Sequence, residues 1–177
     1  MYKRQEIYSA GYKKIEAGGV GEIYEGKSRS GHFAGVLTVV NRLFDLVKPK
    51  YAIFGEKDFQ QLFLIKQMAK KPELSVEILS APIVRDTNGV ALSSRNLKLG
   101  DNGMKIASII HRALSLGNLE RARQVIKSEP DFKLDYLEMI DENTFDLAKE
   151  DTENKRLIIA GWINQVRLID NMAMGSK

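Results

Sequence analysis

The sequence contains no cysteine. That single absence excludes disulfides, a thiolate nucleophile and every cysteine-ligated metal site. Long apolar runs are missing too: no segment approaches the ~18 uninterrupted apolar residues that a membrane-spanning helix requires. The opening Met1-Tyr2-Lys3-Arg4-Gln5-Glu6 carries positive charge without a following apolar stretch, so it is not read as a signal peptide. No membrane association is expected, and the cytoplasm is the expected location. Histidine is scarce, with only His32 and His111. Neither stands near a cluster of acids in the sequence, so no protein-built metal site is expected. There is no internal repeat and no low-complexity tract.

What is present describes a folded protein. The 177 residues are 44% hydrophobic and 28% charged, enough for one ordinary domain or two small ones. Lys and Arg number 27 against 23 Asp and Glu, a formal charge of +4. The basic residues are scattered through periodic segments, as on solvated helix faces, rather than gathered into a nucleic-acid groove. The excess suits small anionic substrates, and no nucleic-acid partner is expected.

Residues 1–31, rich in glycine and polar side chains, read as loop. From Phe33 onward, Val36, Leu37, Val40, Leu43, Phe44 and Val47 recur at helical spacing until Pro49 ends the pattern. Tyr51-Ala52-Ile53-Phe54 reads as a buried parallel strand. Gly55 breaks it, and Asp58 is placed to cap a second helix carrying Leu62, Ile65 and Met68. Val76-Glu77-Ile78-Leu79 is a second strand. This α-β-α-β run implies a parallel sheet with crossover helices. Beyond Pro82, Asn88-Gly89 predicts a hairpin or sharp loop between two short apolar runs. Helices follow around 104–116 and 119–127, then strands over 134–140, 156–163 and 166–169. A short helix is expected over 141–149. The fold class is therefore α/β, in two domains: a nucleotide-binding parallel sheet over 1–84 and a small α+β domain over 85–177. Two parallel strands make a thin sheet, since open nucleotide-binding sheets usually have about five or six. Either partner strands come from another chain or this sequence lacks its beginning.

Four clusters could carry chemistry. Gly21-Glu22-Ile23-Tyr24-Glu25-Gly26-Lys27-Ser28 fits the P-loop formula by its letters. Its bulky Ile23 and Tyr24 and the carboxylate of Glu25 suit a phosphate cradle poorly, and helical periodicity resumes only after His32. Gly55-Glu56-Lys57-Asp58, with Gln60 and Gln61, lies between a strand and a helix N-terminus, where open α/β sheets bind ligands. Lys57 would meet a phosphate and Asp58 ribose hydroxyls; the plainer alternative is a capped, solvated helix start. Ser93-Ser94-Arg95-Asn96 gathers hydroxyl and guanidinium donors suited to phosphate, or is a polar turn before a helix. Arg29 and His32 flank Gly31 just before a helix, an anion contact or simply exposed loop residues.

In this order the motifs resemble the pantothenate synthetase (pantoate–β-alanine ligase) family. The matching pieces are Glu25-Gly26, Ser28 to Phe33, Gly35 to Val40, Phe54 to Gln61, Pro82 to Arg85, Leu92 to Asn96, Asp135 to Glu138 and Arg167 to Asn171. The likeness is to the carboxy-terminal portion, without the start of the nucleotide-binding domain. It implies a partial Rossmann-like sheet of nucleotidyl-transferase type followed by a small α+β lid domain. It also implies an ATP-dependent reaction, with Mg²⁺ accompanying the nucleotide, that joins pantoate to β-alanine through pantoyl adenylate. The implied ATP-binding residues are Gly55, Glu56, Lys57, Asp58, Val84, Leu92, Ser93, Ser94 and Arg95; Lys57, Ser93, Ser94 and Arg95 carry catalysis by stabilising phosphate charge. Gln61 would bind pantoate, and Arg29 and His32 would line the pocket. The family's enzymes are homodimers. Two departures stand out: Ser30 occupies a position where the family usually has proline, and the family's glycine-and-histidine motif of the first strand-to-helix turn is missing. The expectation is a ligase fragment, weakly active or inactive alone. The alternatives are a non-catalytic nucleotide-binding half that docks on a separate chain, and a P-loop NTPase using Lys27.

Overall fold

A computed structural model describes residues 12–175. The opening segment Met1–Glu6, with the signal-peptide reading made on it, lies outside the described residues. The chain divides into two compact units at Ala81/Pro82.

In the first unit, a 3₁₀ turn (Gly19–Glu22) leads to the one-turn helix α1 (Glu25–Ser28) and then to α2 (His32–Val47). Helix α2 starts where Gly31 adopts a left-handed conformation, φ 73°, open to a residue without Cβ. It ends at a left-handed Lys48, before Pro49. Its inner stripe, Phe33, Ala34, Leu37 and Phe44, is buried. Strand β1 (Tyr51–Gly55) passes through a 3₁₀ turn (Glu56–Asp58) into α3 (Phe59–Ala69), and β2 (Glu77–Ala81) returns parallel to β1. The register sets Tyr51 beside Glu77 and Ile53 beside Leu79. Ala52, Phe54, Ile78 and Ser80 therefore share a face. Helices α2 and α3 cover it: the Phe44 ring meets Phe54 edge-on at 6.5 Å, and Lys66 Nζ donates to Ser80 Oγ at 2.8 Å. The opposite face is open, with Ile53 69% exposed. The expected buried strand is thus buried on one side only. Near the first described residue, the Tyr12 hydroxyl donates to Asp45 and accepts from Asn41. Burial, more than the neighbouring Asp45, pushes the Tyr12 phenol above its ordinary pKa.

The second unit holds a larger core. A hairpin-like loop brings Arg85 beside Ala91, and a 3₁₀ turn (Ser94–Lys98) leads to α4 (Gly100–Leu114) and α5 (Leu119–Lys127). The Asn118 side chain caps α5 by accepting from the Arg121 amide at 3.0 Å. Strands β3 (Lys133–Asp141), β4 (Lys155–Ile163) and β5 (Val166–Ala173) form an antiparallel sheet in that order. Asn164 and Gln165, both at positive φ, make the two-residue turn between β4 and β5. Alternate apolar residues such as Leu157, Ile159 and Ile163 face Ile106, Ile110 and Leu114 on the inner side of α4, in one contiguous buried cluster.

Two expectations fail here. The short helix anticipated over 141–149 is a run of turns. Asp141 accepts from the Asn143 amide through its side chain, and Phe145 is buried at φ 66°, which no helix permits. Helix α4 begins at Gly100, earlier than expected, and in its first turn a Cβ at Gly103 would crowd Leu99.

Candidate functional site

The expected site residues fall into two sets, one in each unit. In the first unit, β1 delivers Gly55 at its carboxyl end, and the Glu56–Asp58 turn carries Lys57 directly into the N-terminus of α3. Glu56 and Lys57 are half-buried and Asp58 is exposed. A strand end followed by a helix start directs backbone N–H groups and the positive end of the helix dipole to one spot, which favours an anion. Asp58 occupies the N-cap position, yet its side chain accepts no capping hydrogen bond. The sequence expectation of a side-chain cap therefore does not hold.

On the first turn of α3, two adjacent glutamines behave differently. Gln60 is buried: its Nε2 donates to the Val20 and Ile23 carbonyls at 2.6 and 2.9 Å, and its Oε1 accepts from the Glu25 amide at 3.1 Å. Gln61 is half-buried, and its side chain makes no hydrogen bond with the described residues. Gln60 therefore fixes the loop 20–25, while the Gln61 amide takes no part in that fixing. Arg29 is exposed ahead of α2, and His32, the first residue of that helix, stacks at a tilt on Phe33 with centroids 5.2 Å apart.

The P-loop letters take a different shape. No strand precedes them among the described residues; a 3₁₀ turn, an extended Ile23 and a positive-φ Tyr24 lead to the single turn α1. Gly21 and Gly26 pack against each other so closely that a Cβ on Gly26 would strike the Gly21 carbonyl. The two glycines serve that contact rather than a phosphate cradle, and Lys27 is exposed.

In the second unit, the Leu92 amide donates to the Val84 carbonyl at 2.9 Å, which sets Val84 and Leu92, two exposed apolar residues, side by side. Ser93 follows, its Oγ accepting from the Arg95 amide at 3.2 Å as the N-cap of the 3₁₀ turn, so its hydroxyl proton stays available. Ser94 and Arg95 are exposed, and Arg95 Nη1 donates to the Arg167 carbonyl at 3.3 Å. Apolar Val84 and Leu92 beside hydroxyl and guanidinium donors would suit a ligand with a flat apolar part and an anionic part.

The fixing of this segment was missed by sequence reasoning. Arg85 makes a fork with Asp170, 2.6 Å from Nη1 to Oδ2 and 3.0 Å from Nη2 to Oδ1, and also donates to the Gly89 carbonyl. The Asp170 side chain is 3% exposed. Beside it, Arg156 donates to Asn171 Oδ1 and to Glu142. Eighty-five positions separate Arg85 from Asp170, so no local pattern could have paired them.

Strand, turn and helix in the first unit, with an antiparallel α+β unit after it, define an α/β protein whose structural neighbours share the nucleotidyltransferase-type fold. The chain belongs to the pantoate–β-alanine ligase family: the model described as Pantoate-beta-alanine ligase matches residues 1–173. The pantothenate synthetase of Caldicellulosiruptor bescii is 40% identical over 98% of this chain and 66% of its own length. That of Chlorobium chlorochromatii is also 40% identical, over 97% and 65%. The pantothenate synthetase of Thermus thermophilus superposes with a TM-score of 0.85 at 37% identity, covering 95% of this chain and 66% of that one. The Francisella tularensis ligase, solved in complex with β-γ ATP and β-alanine, gives 0.75 at 36%, over 98% of this chain and 63% of its own. The chain thus spans just under two thirds of the length of the relatives it matches.

Proposed function

We propose that this chain carries part of the site of an AMP-forming ligase that joins pantoate to β-alanine in pantothenate biosynthesis, in the cytoplasm. The observation that carries the reading is the Gly55–Asp58 turn, set between the carboxyl end of a parallel strand and a helix N-terminus in a chain of this family.

In the proposed reaction the pantoate carboxylate attacks the α-phosphorus of ATP; the bond to the bridging oxygen breaks and pyrophosphate leaves. The β-alanine amine then attacks the acyl carbon of pantoyl adenylate, loses a proton, and AMP departs with the electron pair of the acyl–oxygen bond. Neither step needs a strong protein nucleophile, so neutralising phosphate charge is the main demand on the protein. Lys57 and Arg95 supply cations, and Ser93 and Ser94 supply donors to the phosphate chain. Gly55, Glu56, Asp58, Val84 and Leu92 hold the nucleotide. Gln61 binds pantoate, and Arg29 and His32 complete the pocket. The second unit takes the lid role that the resemblance implies. In this reading Mg²⁺ travels with the nucleotide, held mainly by phosphate oxygens and water. Homodimerisation belongs to the same reading.

Two measurements test it. In titration of the chain with ATP, Lys57→Ala should weaken binding by about tenfold, the scale of one charge-assisted contact, while Lys27→Ala leaves it unchanged. The reverse pattern would restore the P-loop reading. With ATP, pantoate, β-alanine and Mg²⁺ supplied, the folded chain alone should form little or no pantothenate. Steady turnover would show that the residues present suffice.

A further inference from the structure

Asn96 has no role in the proposed site, yet its side chain closes a small ring of backbone. Its Nδ2 donates to the Ala91 carbonyl at 3.1 Å. Between Ala91 and Asn96 stand only Leu92, Ser93, Ser94 and Arg95, the segment to which the proposed site gives nucleotide contacts. Both ends of the ring are anchored. Ala91 is buried and lies in a bridge with Arg85. The Asn96 amide donates to the Ser93 carbonyl, and the Asn96 carbonyl accepts from the amide of Leu99, a core residue, each at 3.0 Å.

The other half of the side-chain amide gains nothing. Asn96 Oδ1 is shut off from solvent and accepts no hydrogen bond among the described residues. Turning the amide over would set oxygen against oxygen at Ala91, so the orientation is fixed. A stranded buried acceptor is destabilising, and the single bond to Ala91 offsets it by only a comparable amount. Asparagine here therefore adds little to the stability of the unit. What it supplies is one shape for a segment whose Ser94 and Arg95 are otherwise exposed. We infer that Asn96 is a positioning residue of the nucleotide site. Its clasp on Ala91 holds Leu92, Ser93, Ser94 and Arg95 ready for the phosphate chain, so that less ordering is needed on binding. Asn96 touches no substrate and acts through those four residues. The inference rests on the proposed nucleotide reading of that segment.

Asn96→Leu keeps the outline of the side chain and removes both the clasp and the stranded oxygen. In titration of the chain with ATP it should weaken binding by about tenfold, the scale of one hydrogen bond. Its denaturation midpoint should stay close to that of the parent chain, and amide exchange across 92–95 should quicken. Asn96→Ala, which adds no bulk, should repeat the loss of affinity. The decisive measurement is a cycle with the triple replacement Ser93→Ala, Ser94→Ala and Arg95→Ala. In that background Asn96→Leu should weaken binding little or no further, because the groups it positions are gone. Unchanged affinity in both single variants, or an equal further loss in the triple background, would overturn the positioning role. If the triple replacement alone leaves ATP binding intact, the nucleotide reading of the segment fails, and the inference falls with it.

Discussion

On the first turn of α3, Gln60 gives its whole amide to the backbone of residues 20–25, whereas its neighbour Gln61 gives none of its own to the described residues. Replacing Gln60 by leucine would remove three hydrogen bonds to the backbone of residues 20–25, and a loss of about 1–3 kcal/mol in chemical denaturation is expected. Gln61→Ala should stay within about 0.5 kcal/mol, as surface changes do, while removing the proposed pantoate contact. Asp170→Ala leaves the Arg85 guanidinium with carbonyl partners but no counter-charge, and breaking such a pair typically costs about 3–5 kcal/mol. Gly89 sits at φ 82° against the His111 ring, so Gly89→Ala meets both backbone strain and a clash; a loss of about 1–3 kcal/mol by the same denaturation is expected. The residue scale is where sequence reading does least well. The Gln60-Gln61 pair was visible as part of a motif, but which of the two holds the scaffold depends on a loop 35 to 40 positions earlier.

Whole elements were more legible, because periodicity is local. The helical course of α2, the β1-turn-α3 sequence and the span of α5 follow directly from apolar spacing and breakers, although of the apolar positions read on α2 only Leu37 and Phe44 are fully buried. Strand β5 extends past the expected Ile169 because Asp170 and Asn171, unpromising inside a sheet, are satisfied there by Arg85 and Arg156. The 141–149 segment misled because Phe145 and Leu147 among polar residues imitate a helix, whereas an Asx turn and a left-handed phenylalanine govern it. Helix α2 has a second apolar stripe, with Val39, Leu43, Leu46 and Val47 exposed. Leu37→Ala on the buried side should therefore cost about 2–5 kcal/mol, and Leu43→Ala far less, in denaturation of the chain.

At the scale of the molecule, the two units differ in what holds them. The second has one contiguous core between α4, α5 and a three-stranded sheet; the first rests on a two-stranded sheet with an open face. Native-state amide exchange should accordingly be slower by orders of magnitude across 155–163 than across 51–55, since protection follows the local free energy of opening. Comparable protection would mean that the first unit has stabilisation beyond the contacts described. The α/β class was readable from the alternation of strands and helices, and the thinness of the sheet from counting them. That a strand reading as buried would stand half-open was not readable from its own letters, since burial depends on what else packs there.

The fork from Arg85 to Asp170 has a practical consequence for handling this polypeptide. The donors of Ser93 and Arg95 belong to a loop moored to the last described strand, at Asp170. A shortened form ending at Ile169 would keep every residue assigned to the nucleotide and still lose the mooring. Any tag or fusion there needs a spacer that leaves Asp170 in its ladder.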